Sequence, residues 1–211
     1  LHLGADELPQ STWAGSPAVN KLKREANLKT SDDVLGWSLN RLAAKLVSMG
    51  VKLAAWEEAA RGNNGGIGND AMLFSWSGQQ AGVEAAMAGY DVVMLPAQHV
   101  YLDMAHTDEA SDWGAAWASF ISLTDTINWS VIPDNQISDR VIGVEGTFWS
   151  EFTTNDSEME PMMAPRILGV ASKGWCDNDD LDHSQFITHA RLFCEILTKM
   201  GWAWNSACFA K

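Results

Sequence analysis

Two adjacent carboxylates, Asp6 and Glu7, close the segment Leu1-His2-Leu3-Gly4-Ala5-Asp6-Glu7. Like charges this close favour keeping one of the pair protonated. A proton donor beside an anion is the equipment of acid–base catalysis. Successive strand residues point to opposite sides, so the two can share a site only where a strand has ended and the chain is turning. An α/β barrel keeps its catalytic groups at such strand ends, and Gly4 leaves room for something to approach the backbone. Alone, the pair reads as a charged turn. The residues past the other strand ends decide between the two readings.

The elements that would position these groups alternate between short apolar runs and helical patterns, which predicts parallel strands covered on both faces. Strands are expected over residues 1–3, 51–55, 71–75, 91–95 and 141–147, the fourth ended by Pro96. Thr30-Ser31-Asp32-Asp33 marks a helix start. Leu39, Leu42, Ala43 and Leu46 follow at helical spacing, and Gly50 stops the run. Residues 79–88 read as a small-residue helix stopped by Gly89, and residues 161–173 as a helix with a proline near its start. Phe186, Ala190, Phe193, Cys194 and Leu197 mark a last amphipathic helix closed by Gly201. The loop from Arg61 to Asp70 holds four glycines but lacks the lysine and the strand-to-helix setting of a phosphate cradle, so a flexible connection is expected.

The residues just past these strands are Asp6-Glu7, Trp56-Glu57, Trp76, Tyr101-Leu102-Asp103 and Trp149-Ser150-Glu151. Carboxylates, tryptophans and a tyrosine therefore recur at five strand ends, where rim packing would explain any one of them but not the series. The chain also holds eleven tryptophans. Trp is large and carries an N–H that needs a partner, and such an excess suits the stacking of sugar rings.

Composition narrows the classes further. A chain of 211 residues can bury one sizeable core. A net charge of −13 supplies no basic stripe for phosphate contacts and argues against nucleic acid. No run approaches the ~20 apolar residues of a membrane span. Cys176, Cys194 and Cys208 have no C-x-x-C spacing, and His2, His99, His106, His183 and His189 show no ligand spacing, so neither a metal nor a cofactor is expected. The sequons at Asn128 and Asn155 read as chance.

Taken together, His2-Leu3-Gly4-Ala5-Asp6-Glu7 resembles the H-x-G-[GA]-D-E signature of glycoside hydrolase family 20, the β-N-acetylhexosaminidases. The likeness continues in order through Ala55-Trp56-Glu57-Glu58, Ser75-Trp76, Tyr101-Leu102-Asp103-Met104, Ala116-Trp117-Ala118 and Phe148-Trp149-Ser150-Glu151. Residues 162–175, with Pro165-Arg166 and the closing Trp175, are similar to that family's helix after the last strand. Residues 193–202 are similar to its final helix.

The resemblance implies an α/β fold, a TIM (β/α)8 barrel, to which residues 1–211 contribute roughly strands 4 to 8 with their helices as the C-terminal portion of one catalytic barrel. It implies exo-acting hydrolysis of terminal β-linked N-acetylglucosamine or N-acetylgalactosamine, a retaining reaction in which the substrate's own amide oxygen attacks the anomeric carbon. Glu7 is expected to hold the proton and deliver it to the leaving oxygen. Asp6 would hold the acetamido N–H, and Tyr101 would donate its hydroxyl to the acetamido oxygen. Trp56, Trp76 and Trp149 would wall the pocket, and Trp117 would offer a platform for the neighbouring sugar. Asp103 and Glu151 would accept hydrogen bonds from sugar hydroxyls.

The implied partners are an N-acetylhexosamine-containing oligosaccharide or glycan and the N-terminal half of the barrel, on the same precursor or another chain. The family's Asp-Glu motif ends the fourth barrel strand, so strands 1 to 3 and a sugar-binding arginine are expected elsewhere. Residues 1–211 expressed alone are expected to aggregate or stay molten. A lacto-N-biosidase-like glycosidase and an inactive carbohydrate-binding remnant remain as alternatives. The compartment is open, with a secreted, periplasmic or lysosome-like setting preferred to the cytoplasm.

Overall fold

The structure, a computed structural model, describes residues 1–176 and 181–209. In chain order these form α1 (Pro17–Glu25), α2 (Ser31–Val47), β1 (Leu53–Trp56), β2 (Ala71–Ser75), α3 (Gln79–Met87) and β3 (Asp91–Met94). The short α4 (Ala97–Val100), β4 (Val141–Val144), α5 (Asp156–Met163), α6 (Ile167–Trp175) and α7 (His183–Lys199) come next. The four strands lie in one sheet in the order β1-β2-β3-β4. β1 and β2 pair in parallel, with Leu53 opposite Ala71 and Trp56 opposite Phe74. Between β3 and β4, Val92 N–H donates to Arg140 O and Glu145 N–H to Met94 O, so both chains advance in one direction. The expected α/β fold with a parallel sheet is present.

Among the described residues four strands form where five were expected. Residues 1–4 lie along β1 and exchange three main-chain hydrogen bonds with it, Ala54 N–H to Leu1 O, Leu3 N–H to Ala54 O and Trp56 N–H to Gly4 O. Only His2 pairs as a bridge, because the chain leaves the ladder at Gly4. The last strand ends at Val144 rather than 147, although Thr147 still bridges Tyr101 in parallel.

By contact density the chain divides into two units. The first comprises Leu1–Trp76, Gln80–Val93 and Gln136–Ile142, and the second Ser77–Gln79, Met94–Asn135 and Gly143–Lys211. In the first, the helix start at Thr30 is a complete capping box: the Thr30 side chain accepts from Asp33 N–H, and Asp33 Oδ2 accepts from Thr30 N–H. α1 arises from the polar stretch that carried no helix expectation, with Ser16 as its cap and Pro17 at its first turn. Of the predicted α2 face, Leu39 and Ala43 are buried, whereas Leu42 is exposed.

The glycine-rich loop is not the expected flexible connection. Asp33 Oδ1 accepts from Asn63 N–H at 2.8 Å, and Asn64 Nδ2 donates to Asp33 O at 2.7 Å. Ile67 is buried, and any side chain at Gly66 would strike the main chain of Ala59 and Ala60. Gly62 and Gly66 allow close approach to neighbouring main chain, while Asn63 and Asn64 tie the loop to the buried Asp33. Main-chain N–H groups of Asn63, Thr30 and Lys29 hold that carboxyl at about 2, well below the usual range. Three hydrogen bonds to a charged group, each worth about 1.5 kcal/mol, imply that Asp33→Ala costs roughly 3–5 kcal/mol in urea unfolding. Because the folded value lies below the unfolded one, this stabilisation is complete above about pH 4. It drains as pH falls toward about 2. An Asp33→Ala protein whose deficit stayed constant across that window would refute this origin.

In the second unit the helix expected over 161–173 is two helices, α5 and α6. Pro165 has no N–H to continue α5, and its ring drives Ala164 to extended backbone with ψ 131°. α7 buries Phe186, Ala190, Cys194 and Leu197 at the expected period, with Phe186 and Ala190 packed on Leu123 and Ile127. Phe193, expected on that face, is exposed. Among the described residues no helix is long and apolar enough to cross a membrane.

Candidate active site

In the first unit, alternation along β1 and β2 buries Leu53, Ala55, Leu73 and Ser75 and turns Trp56 and Phe74 to the other face. Their paired register brings those rings edge to face at 6.3 Å. His2 completes the cluster, 4.9 Å from the Trp56 ring and 5.4 Å from Phe74. Partial desolvation holds the His2 imidazole below its ordinary range, while the nearby Asp6 carboxylate pulls it up.

Beyond Gly4 the chain turns sharply. Gly4, Ala5 and Glu7 have φ of 70°, 85° and 51°. The two non-glycine residues there are in the left-handed region that L side chains rarely adopt, a strain of roughly 1–3 kcal/mol each that clusters at functional sites. The turn leaves both the Asp6 and the Glu7 side chains exposed.

Two buried carboxylates brace this end of the unit. Glu57 Oε2 accepts from Trp76 N–H at 3.1 Å, and Glu58 Oε2 accepts from the Trp76 indole N–H at 3.1 Å. Glu58 Oε1 also faces Glu7 N–H at 3.4 Å. Glu58 thus ties the main chain of Glu7 to the ring of Trp76. Glu58→Ala removes both acceptors and is expected to cost about 2 kcal/mol in unfolding free energy, whereas Glu58→Gln, which keeps one carbonyl oxygen, costs about half. Equal losses on a urea titration would mean that charge and not acceptor geometry matters there.

In the second unit, Tyr101 is buried and pairs with Thr147: Leu102 N–H donates to Thr147 O and Thr147 N–H to Val100 O. Trp149 lies two residues past Thr147, and its ring sits 6.3 Å from Tyr101. Trp117 meets Tyr101 edge to face at 5.8 Å. Two residues past Tyr101 stands Asp103, 3% exposed. The main-chain N–H groups of Asp103 and Trp149 lie near its carboxylate, while Oδ1 has no hydrogen-bond partner among the described residues. Burial pushes the Asp103 carboxyl above its ordinary value, those N–H groups oppose the shift, Glu151 adds to it and Arg166 opposes it. A buried carboxylate oxygen without a partner is uncommon and marks Asp103 as a candidate polar group of the site. Among the described residues no group of His, Cys, Asp and Glu could hold a metal ion.

The sequence model described as "Glycosyl hydrolase family 20, catalytic domain" matches residues 1–178. This chain belongs to glycosyl hydrolase family 20. A β-hexosaminidase of Vibrio furnissii is 30% identical over 178 residues, covering 82% of this chain and 29% of that protein. A β-N-acetylhexosaminidase of Cellulomonas fimi is 32% identical over 127 residues, covering 59% of this chain and 25% of that protein. The solved structure of an exo β-N-acetylglucosaminidase from Vibrio harveyi, in complex with N-acetylglucosamine, superposes with a TM-score of 0.88 at 29% identity, over 97% of this chain and 32% of that one. The chain therefore spans under a third of the length of these relatives.

Of the residues singled out from the sequence of this family 20 member, Asp6, Glu7, Trp56 and Trp76 lie in the first unit. Tyr101, Asp103, Trp117, Trp149 and Glu151 lie in the second. Within the first unit Glu58 joins Glu7 to Trp76, and within the second Tyr101, Trp117 and Trp149 meet. Glu57 and Glu58 carried no assigned role. Their signal was their position directly after Trp56 at a strand end, where buried carboxylates need partners. His2 and Arg166 were present in the matched motifs, but nothing local reveals what either touches.

Proposed function

We propose that this chain carries the acid–base and acetamido-binding residues of an exo-acting β-N-acetylhexosaminidase. The protein removes terminal β-linked N-acetylglucosamine or N-acetylgalactosamine with retention. Family membership over residues 1–178 supports the hydrolase class. The observation that carries the substrate reading is the meeting of the Tyr101, Trp117 and Trp149 rings, with the buried Asp103 two residues past Tyr101.

In this reading Glu7 protonates the glycosidic oxygen as its bond to the anomeric carbon breaks, and the substrate's acetamido oxygen forms the new bond to that carbon. Asp6 faces the amide nitrogen, which becomes positive in the oxazolinium ring, and Tyr101 holds the amide oxygen. Water then opens the ring, giving its proton to Glu7. Two attacks on opposite faces restore the β configuration. Trp56, Trp76 and Trp149 wall the sugar, Trp117 carries the next residue, and Asp103 and Glu151 accept hydroxyl protons. The protein supplies positioning and charge where the substrate supplies the nucleophile.

The same reading makes residues 1–211 the strand 4 to 8 portion of a (β/α)8 barrel, completed by further strands. The test is turnover of an aryl N-acetyl-β-glucosaminide by the encoded protein, with the anomer of the first product followed by proton NMR. Release of the α anomer, or cleavage of the plain glucoside at an equal rate, would contradict the substrate-assisted reading.

A further inference from the structure

Arg166 is fully buried, and all five of its N–H groups are used. Nε donates to Met162 O at 2.9 Å, Nη1 to Met104 O at 2.8 Å and Ile121 O at 3.0 Å, and Nη2 to Leu102 O and Met162 O, both at 2.7 Å. Every acceptor is a main-chain carbonyl. Burying a cation among neutral acceptors is expensive, and burial lowers the guanidinium to about 10. Helix-start geometry does not require it, since Arg166 makes no side-chain cap for α6.

Its acceptors show what the cation holds. Leu102 O and Met104 O alternate with the side chains of Tyr101 and Asp103 along the same few peptides, and Ile121 O belongs to the segment that returns beside them. Around these residues no strand of the sheet runs through: isolated bridges pair Tyr101 with Thr147 and Met104 with Ala115, and single main-chain hydrogen bonds such as Ala115 N–H to Asp103 O and Ile121 N–H to Ala105 O add to them. The rigid fork of a guanidinium sets the direction of four carbonyls at once.

Building on the function proposed above, we propose that Arg166 is a positioning residue that fixes Tyr101 and Asp103 through the carbonyls of Leu102 and Met104. It touches no substrate. Its contribution is the placement of the Tyr101 hydroxyl against the acetamido oxygen, where small displacements cost rate steeply.

The experiment is a double-mutant cycle in the encoded protein, combining Arg166→Lys with Tyr101→Phe. Lysine keeps the charge but cannot reach four carbonyls with the geometry of a planar fork. Arg166→Lys alone is expected to lower kcat for an N-acetyl aryl glycoside about 10- to 100-fold with KM changed much less. In the Tyr101→Phe background it is expected to cost less than about 3-fold, because groups acting as one unit are not additive. A merely structural role would give the same loss in both backgrounds, and that result overturns the inference. If Tyr101→Phe leaves kcat unchanged, the role of Tyr101 itself falls and the inference with it, so the two failures are told apart.

Gly114→Ala supplies a second approach should Arg166→Lys not fold. A Cβ there would meet Asp103 O at 2.6 Å, Ala105 N at 2.8 Å and the end of the Met162 side chain at 2.8 Å, at a φ of 135° that L side chains rarely adopt, so the same segment must shift while the Arg166 side chain is kept. It is expected to lower kcat with the same dependence on Tyr101. An unchanged kcat in folded Gly114→Ala would show that this segment's placement does not limit turnover, which also overturns the proposal.

Discussion

Glu7→Gln is expected to remove about 10³- to 10⁴-fold of kcat/KM toward substrates with poor leaving groups, and much less toward activated aryl glycosides. The amide keeps the size of the side chain and the turn at φ 51°, but has no proton of the needed acidity to give. A departing alkoxide of a sugar requires that proton, while a nitrophenolate leaves without it. The loss should therefore grow with the pKa of the leaving group. Steady-state kinetics on an aryl series and a chitobiose-like substrate measure the slope directly. A uniform loss across that series would remove Glu7 from the acid role and return Asp6-Glu7 to a charged turn. Because Glu58 faces the Glu7 main chain and not its carboxylate, Glu58→Gln is not expected to reproduce this slope.

The second large effect concerns the acetamido group. Asp6→Asn and Tyr101→Phe are each expected to slow turnover by roughly 10²-fold or more, the scale of losing one preorganised interaction with charge that develops in the transition state. Asp6 loses the anion that faces a nitrogen turning positive, and Tyr101 loses the donor that aims the attacking oxygen. Both variants should also weaken binding of a thiazoline mimic of the oxazolinium ring, which carries the ring without a leaving group. If that mimic binds the unaltered protein no better than free N-acetylglucosamine does, attack by the amide oxygen is not the mechanism. The surroundings of Tyr101 suit the role: the ring is buried between Trp117 and Trp149, so its hydroxyl has little freedom to drift.

Local signals in the sequence marked the strands expected over 51–55, 71–75 and 91–95, which form at Leu53–Trp56, Ala71–Ser75 and Asp91–Met94, the box at Thr30–Asp33 and the period of α7, and they singled out the candidate residues. Each depends on neighbours within a few positions, through side-chain alternation, capping chemistry or helical period. The tertiary structure decided what depends on distant partners. Asp33 meets Asn63 thirty residues away and converts a glycine-rich stretch from an expected flexible link into a packed turn. Glu58 reaches back 51 residues to Glu7 and forward 18 to Trp76. Arg166 spans 64 residues to Leu102 and 45 to Ile121. No periodicity records such pairings. A buried charge takes whichever acceptors the fold delivers to it, and that choice is made by packing rather than by the order of residues along the chain.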